Sequence, residues 1–472
     1  MSRSVRLIAK ANRIAVQLGA TEADLQQAEA LLREAEQSQP SGTSWLQISR
    51  AYTELGRFDD SRRALGMARQ KLKNNPALEL FSAILALDEG KLSEAQGFLD
   101  ELRRICSGNQ ALPTAQALCF LLQGRTSEAL DLLKHKRGKT DSFDITVSPL
   151  LICRLAMAVE KAILPHELPE ADLLEGLGAA VPRSEVPPEE KKSRTAEDNA
   201  EGTEGVQAAE GGPADEASGL DGKNAAELAN AAASAGENNA EEPADKEENS
   251  GEKTAVTPKA NEIDDPQELA QELKPYLPAL PKDASVGGIS LYGTGTERLQ
   301  RAWEMPRKEQ LEQFSIALHE LYRSYCSSPK SYQCAFSLAE GLLAMAEYDR
   351  DRSKPYAEKS VRLVLFAERL LRQALVYDKD TAFANHYMGR TKFLQHRYSE
   401  AVSAWKSALE SFAKLPEAQY GLGQAYIMLG EQRESRLHIA QAVSADMHLL
   451  RERLADLVCI SQGDTSADDS VQ

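Results

Sequence analysis

Leu55-Gly56-Arg57-Phe58-Asp59, Glu89-Gly90-Lys91-Leu92-Ser93 and Gln123-Gly124-Arg125-Thr126-Ser127 stand 34 residues apart. With 29 glycines in 472 residues, two more at preset offsets from a first arise by chance only about 0.4% of the time. The neighbouring columns keep the same spacing: Ser49, Ala83, Ala117; Tyr52, Ala86, Phe120; Ser61, Ala95, Ala129; Leu65, Leu99, Leu133. Between the glycines the apolar residues recur with helical periodicity, as in Ser61, Leu65, Ala68, Leu72 or Leu92, Ala95, Leu99, Leu102. Each period therefore reads as two short helices broken by a glycine turn.

The spacing returns in the second half of the chain. Gly389 and Gly423, Ala401 and Ser435, Trp405 and Ile439, Ala408 and Ala442 are each 34 apart, and Ala367, Leu371 and Ala374 extend the series upstream. Small residues at Ser49, Ala83, Ala117, Gly389 and Gly423 are expected where paired helices cross closely. Flanking patterns predict a divergent first pair over Val5–Leu18 and Glu22–Glu36 and a closing helix over Ile145–Ile163. They also predict a helix from Pro306 with Leu311, Phe314, Leu318, Leu321 and Tyr325 on one face, a long first helix over Ser331–Tyr348, and a capping helix lined by Met447, Leu450, Leu454 and Leu457.

Composition divides the chain. Residues 182–266 hold no aromatic and no cysteine, with 22 acidic against 8 basic side chains, which is most of the formal charge of −17. Such a segment buries too little apolar surface to offset the entropy of ordering. The expected organisation is an N-terminal array over 3–180, a disordered acidic linker over 181–266, a C-terminal array over 267–461 and a disordered tail over 462–472. The acidity opposes non-specific binding to nucleic acid or anionic membranes. No stretch approaches the roughly 18 apolar residues of a membrane span, and the N-terminal apolar residues are interrupted by Lys10, Asn12, Arg13 and Gln17. A cytoplasmic protein without membrane insertion is the expectation.

Motifs for chemistry are sparse. Arg137-Gly138-Lys139-Thr140 has the end of a phosphate loop but lacks its first glycine and preceding strand. Gly287, Gly288, Gly293 and Gly295 do not form a dinucleotide fingerprint and read as a flexible loop. The paired histidines His386/His396 and His438/His448 are ten apart, off a common helical face, and the six cysteines contain no C-x-x-C. No metal, cofactor or catalytic residue is expected. The cysteines, mostly inside apolar helical patterns, read as small buried hydrophobes.

The 34-residue unit resembles the tetratricopeptide repeat (TPR), most clearly over Trp45–Ala68, Ala384–Leu409 and Ala418–Val443. Departures are Glu79 and Asn385 at usually apolar places, Lys136 for an alanine, and Pro355 for a small helix residue. The resemblance implies an all-α architecture, two helix-turn-helix superhelical arrays joined by the linker. It also implies a concave groove lined by first helices, where partner proteins are held. Carried onto this sequence, the N-terminal groove would display Leu46, Arg50, Leu80, Ile84, Leu87, Leu118 and Leu121. The C-terminal groove would display Phe383, His386, Arg390, Phe393, Tyr420, Gln424 and Ile427. The Lys/Asn/Arg set by which co-chaperone TPRs clamp a peptide carboxylate is absent. The implied function is that of a non-enzymatic adaptor or scaffold binding peptide or helical segments, with an assembly or secretion chaperone as the alternative. The proline-broken stretch Pro275–Tyr292, bearing Tyr276, Leu277, Leu280 and Ile289, is expected to fill a groove from within the chain.

Overall fold

A computed structural model describes residues 3–134, 149–179, 264–281, 291–305, 307–349, 356–378 and 381–468. The phosphate-loop-like residues 137–140, the linker over 182–263, Gly287, Gly288 and Pro306 lie outside them. The described chain is all-α and forms two TPR-like arrays. In the first array four helix pairs follow one another: α1 (Arg3–Ala15) with α2 (Glu22–Gln37), α3 (Gly42–Glu54) with α4 (Phe58–Lys71), α5 (Pro76–Asp88) with α6 (Leu92–Ile105), and α7 (Leu112–Leu122) with α8 (Thr126–Leu133). Next come α9 (Pro149–Glu167) and the short α10 (Ala171–Gly176). The second array opens with α11 (Pro266–Leu273). It continues with the pairs α12 (Leu291–Glu304) and α13 (Arg307–Ser327), α14 (Tyr332–Asp349) and α15 (Glu358–Tyr377), α16 (Ala382–Leu394) and α17 (Tyr398–Ser411), and α18 (Pro416–Met428) and α19 (Gln432–Ala445). The last helix is α20 (His448–Asp468).

Local chemistry sets these boundaries. Thr21 caps α2 in a reciprocal box with Asp24, accepting from its backbone N–H at 3.2 Å while the Asp24 carboxylate accepts from the Thr21 N–H at 2.8 Å. Asn75 caps α5 and Pro76 supplies its first residue. Gly56, Gly90, Gly124 and Gly430 turn between paired helices with φ of 72°, 75°, 75° and 81°, which is why glycine repeats at that column. One period before Gly430 the same left-handed place holds His396, at φ 60°.

Close approach explains the small column within the first helices. A Cβ at Gly389 would lie 2.7 Å from the Trp405 ring, and one at Gly423 would lie 2.4 Å from Ile439 Cγ1. Ser49 and Ser61 use the same closeness to share a buried hydrogen bond at 2.8 Å. Gly295 belongs to this class too. Gly293 and Gly295, expected in a flexible loop, sit inside α12, where Gly295 lets the helix rest against Leu321 of α13.

Several sequence expectations shift in detail. Phe314, Leu318, Leu321 and Tyr325 are buried along α13, whereas Leu311 is exposed, one turn from the helix start. Cys119, Cys153 and Cys334 are buried, but Cys326 and Cys459 are exposed. The tail expected from Gln462 continues the last helix as far as Asp468. The described part of the Pro275–Tyr292 stretch does not enter a groove of first helices; with α11 it lies on the second helices α13 and α15. There the Tyr322 hydroxyl donates to the Ala270 carbonyl at 2.9 Å, His319 meets the Pro278 carbonyl at 2.8 Å, and the Tyr276 ring packs 5.4 Å from that of Phe366.

The two arrays are packed together in one compact unit. A single apolar cluster joins Ile84, Leu87, Leu118 and Leu121 of the first array and Leu155, Val159 and Ile163 of α9 to Tyr420, Ile439, Val443, Leu450, Leu454 and Leu457 of the second. The helix α9, which overlaps the closing helix expected over 145–163, packs on α7 and also on α18, α19 and α20. In stacking terms α9 takes the place of the first helix of a further pair after α19.

Candidate functional site

The groove residues inferred from the family resemblance divide by burial. Leu46, Ile84, Leu87, Leu118, Leu121, Phe393 and Tyr420 are buried in the core clusters. Arg50, Leu80, His386, Arg390, Gln424 and Ile427 are half-buried, and Phe383 is 54% exposed. The set therefore splits evenly into residues buried in the stack and residues that keep some exposure.

Three of these, Phe383, His386 and Arg390, lie on α16 beside aromatics of α14. Tyr332 and Phe336, one turn apart on α14, stack at 5.6 Å with a 10° interplanar angle, and Phe336 meets the Tyr387 ring edge-on at 5.6 Å. Tyr387 lies one turn beyond the exposed Phe383 on α16 and donates its hydroxyl to Glu340 at 2.9 Å. Burial pushes the Glu340 carboxyl above its usual range, against the lowering effect of that hydrogen bond. Beside them burial holds the His386 ring neutral, with a pKa lowered to about 4, and its Nδ1 meets no hydrogen-bond partner among the described residues. Arg390, one turn further, pairs with Glu347. A strip of half-exposed aromatics on first helices, edged by ionisable groups, is suited to holding an extended or helical segment of another protein.

A second constellation lies where α9 crosses the C-terminal stack. The Glu160 carboxylate, fully buried, accepts four hydrogen bonds. The Tyr420 hydroxyl donates at 2.7 Å and the Gln424 amide at 2.8 Å, both from α18, while Arg453 of α20 donates through Nε at 2.6 Å and Nη2 at 2.9 Å. Arg453 also pairs with Glu167 at 2.6 Å and Asp456 at 3.1 Å. Burial alone would depress the guanidinium; the Glu160 and Glu167 carboxylates outweigh it, and the ion stays charged. Burial, and then the Glu160 charge, push the Tyr420 phenol far above its usual range. The hydroxyl therefore keeps its proton and donates it to Glu160. Nearly two turns earlier on α9, Arg154 forms a matching buried network with Asp88 at 2.6 Å and Glu54 at 3.5 Å, which Arg436 of α19 joins from the other array at 3.3 Å from Glu54.

Further along the chain, Leu164 packs with Phe393, Tyr398, Trp405 and Leu422. His396 Nε2 donates to the Pro169 carbonyl at 2.6 Å, and its Nδ1 accepts from the Tyr398 hydroxyl at 2.9 Å. Burial lowers the His396 pKa, so the ring is neutral and carries its single proton on Nε2. The residue occupying a glycine's place in the turn thus also ties the arrays together. Sequence reasoning identified Tyr420 and Gln424 but not Glu160. The available signal was Arg154 and Glu160 themselves, charges that interrupt a largely apolar run on α9.

A separate recess of about 570 Å³ is lined by Arg69, Glu79, Glu94, Gly97, Phe98 and Glu101 on α4, α5 and α6. Its polar groups are already engaged in part, since Arg69 pairs with Glu79 at 3.0 Å and covers the Phe98 ring. Among the described residues no cluster of metal-ligating side chains occurs, and no helix is long and apolar enough to cross a membrane.

No protein-family model matches the sequence, and no curated protein matches it. Among solved structures the chain is similar to MamA, with 15% identity over 34% of this chain and 95% of that chain and a TM-score of 0.24. It is similar to yeast Tom70, with 10% identity over 85% of this chain and 68% of that chain and a TM-score of 0.24. It is also similar to a tetratricopeptide repeat protein from Parabacteroides merdae, with 10% identity over 90% of this chain and 98% of that chain and a TM-score of 0.23. Likeness at this level carries no weight of its own; the TPR-like character rests on the 34-residue helix pairs and their small-residue contacts.

Proposed function

We propose that the protein is a non-enzymatic interaction scaffold that binds peptide or helical segments of partner proteins on the first-helix face of its TPR-like arrays. The observation that carries this reading is the aromatic strip Tyr332, Phe336, Tyr387 and Phe383, which leaves Phe383 more than half exposed beside half-buried rings. Contiguous apolar surface of this kind on a stacked-helix scaffold is what a partner covers. The buried groove residues, by contrast, contribute shape and rigidity. The test is co-purification from cells with the full chain and its Phe383→Asp and Leu80→Asp variants. Loss of distinct partners from each variant supports the scaffold, loss of one shared client from both supports a chaperone, and an unchanged set of partners from the two folded variants defeats the assignment of this face.

A further inference from the structure

The Glu160 site has the chemistry of a receptor. Three donors on α18 and α20, belonging to the C-terminal array, converge on one carboxylate supplied by α9. Tyr420, Gln424 and Arg453 together offer four N–H or O–H groups to its two oxygens, at 2.6 to 2.9 Å. Taking the carboxylate away would leave four buried donor groups without their acceptor, with Glu167 and Asp456 as the counter-charges remaining to Arg453, which costs more than never having built the site. Around it lie Ile439, Val443, Leu450, Leu454 and Leu457, the apolar residues against which α9 sets Leu155, Val159 and Ile163. The end of the stack therefore displays, in one patch, an apolar helix seat and a carboxylate cradle.

The position of the seat matters. It takes only α18 from the first-helix face, through Tyr420 and Gln424, and is completed by α19 and α20. It is the open end of the stack beyond α19, where α9 stands as the missing first helix of another pair. We propose that this end, α18 to α20, is an acceptor for an amphipathic helix of a partner protein bearing a glutamate within an apolar stripe, and that α9 is its resident occupant in cis. This rests on the scaffold reading and adds the recognition chemistry of one surface. The cradle selects a helix that places one carboxylate between apolar turns, as Val159-Glu160 and Ile163-Leu164 do. The contacts linking the arrays include buried ionic networks, at Arg453 and at Arg154, rather than apolar packing alone. Such networks specify the register in which a helix can dock, because a shifted helix would leave buried charges unpaired.

The experiment uses the full chain and a fluorescent peptide of residues 149–167. In the variant Glu160→Gln/Leu164→Ser, cis docking loses its carboxylate and the leucine that packs on Phe393 and Trp405. Fluorescence anisotropy should show this variant binding the native peptide, and binding a Glu160→Gln peptide roughly 30-fold or more weakly, the loss expected when one partner of a buried hydrogen-bonded charge pair is removed. The wild-type chain should bind neither at the same concentrations. Equal binding of the two peptides, or no binding to a variant whose circular dichroism and melting remain cooperative, overturns the proposal. Concentration-dependent dimerisation of the variant without peptide binding would reassign the seat to a second copy and also overturn it.

Should the variant fail to fold, the wild-type chain is incubated with a photo-crosslinkable peptide at millimolar concentration, on the order of the effective concentration of a tethered competitor. Crosslinks on α18 and α20, competed by unlabelled native peptide and not by the Gln peptide, support the acceptor; their absence overturns it. Because a synthetic peptide is the probe, failure here is distinguishable from failure of the scaffold reading, which is decided by whether cellular partners depend on Phe383 and Leu80.

Discussion

Replacing Gly423 with alanine puts one methyl group where two helices cross. A Cβ there would stand 2.4 Å from Ile439 Cγ1, 3.2 Å from its Cδ1 and 3.3 Å from its backbone nitrogen. Ile439 is β-branched and is held to one favoured χ1 in a helix, so moving Cγ1 clear requires an unfavourable rotamer or a shift of α19. Alanine gains about 1 kcal/mol of helix propensity over glycine, while overpacking of a well-filled contact costs about 1–3 kcal/mol. The net expectation is a destabilisation of up to about 2 kcal/mol, against the gain expected where nothing is in the way. Gly66, exposed in the middle of α4 with nothing within 4 Å of its Cβ position, is the control. There the same substitution should stabilise by up to about 1 kcal/mol. Urea denaturation followed by far-ultraviolet circular dichroism measures both. A third variant supplies the mechanism: Ile439→Ala removes the clashing atoms, so adding Gly423→Ala to it should cost nothing, giving a coupling energy of at least about 1 kcal/mol between neighbours in contact. If Gly423→Ala stabilises as much as Gly66→Ala, or if its cost persists in the Ile439→Ala background, close helix crossing is not the reason for the small-residue column.

Acid should weaken the fold in two windows. Burial lowers the pKa of His438 to about 4, with the Lys406 charge adding to the effect. The folded state therefore requires the neutral ring: its contribution is complete above about 6.5 and is eroded as pH falls to about 4, by up to about 3 kcal/mol. His438→Gln, which keeps a group beside Gln419, should reduce the slope there, leaving the part that His386 contributes over the same range. Glu368 acts lower on the scale. Burial would raise its carboxyl, but Lys392 and Arg372 outweigh that and bring it to about 2. Its stabilisation is full above about 4.5 and disappears as pH falls to about 2, and Glu368→Gln should remove the slope in that range. Arg154→Met should cost about 3 kcal/mol in thermal or urea unfolding, because Asp88 loses its closest counter-charge and Glu54 one of two. Pairing it with Asp88→Leu should recover part of the loss; a single variant as stable as wild type would mean the network contributes nothing.

The helix pairs were legible because their cause is local and repeated. Turn glycines at 56, 90 and 124 need a left-handed backbone, and the small residues at 49, 389 and 423 need a close crossing; both leave a fixed period in the sequence. His396 shows the limit of that logic. It occupies a turn position as a non-glycine residue because its ring bridges the Pro169 carbonyl and Tyr398, contacts that no periodicity encodes. The candidate site was legible by half. Tyr420 and Gln424 follow from the first-helix face of a TPR unit, but amphipathic pattern says only that α9 has apolar sides, not which surfaces they meet. Arg154 and Glu160 are the residues that distinguish them, and their partners lie 66 and 293 positions away along the chain. The glycines at 293 and 295 depart from the loop reading for a related reason: at Gly295, absence of a side chain serves helix contact with Leu321 rather than loop freedom.

Because α9 is shared, the order of synthesis differs from the order of assembly. Roughly 290 residues separate the end of α9 from Leu457, and a ribosome adding about 5–20 residues per second needs roughly 15–60 s to make them. During that interval the apolar flank of α9 that later meets Leu450, Leu454 and Leu457 has emerged without its cover. The nascent first array must therefore wait, oily side bare, until residues 450–457 have been made, and their arrival is the step that covers it.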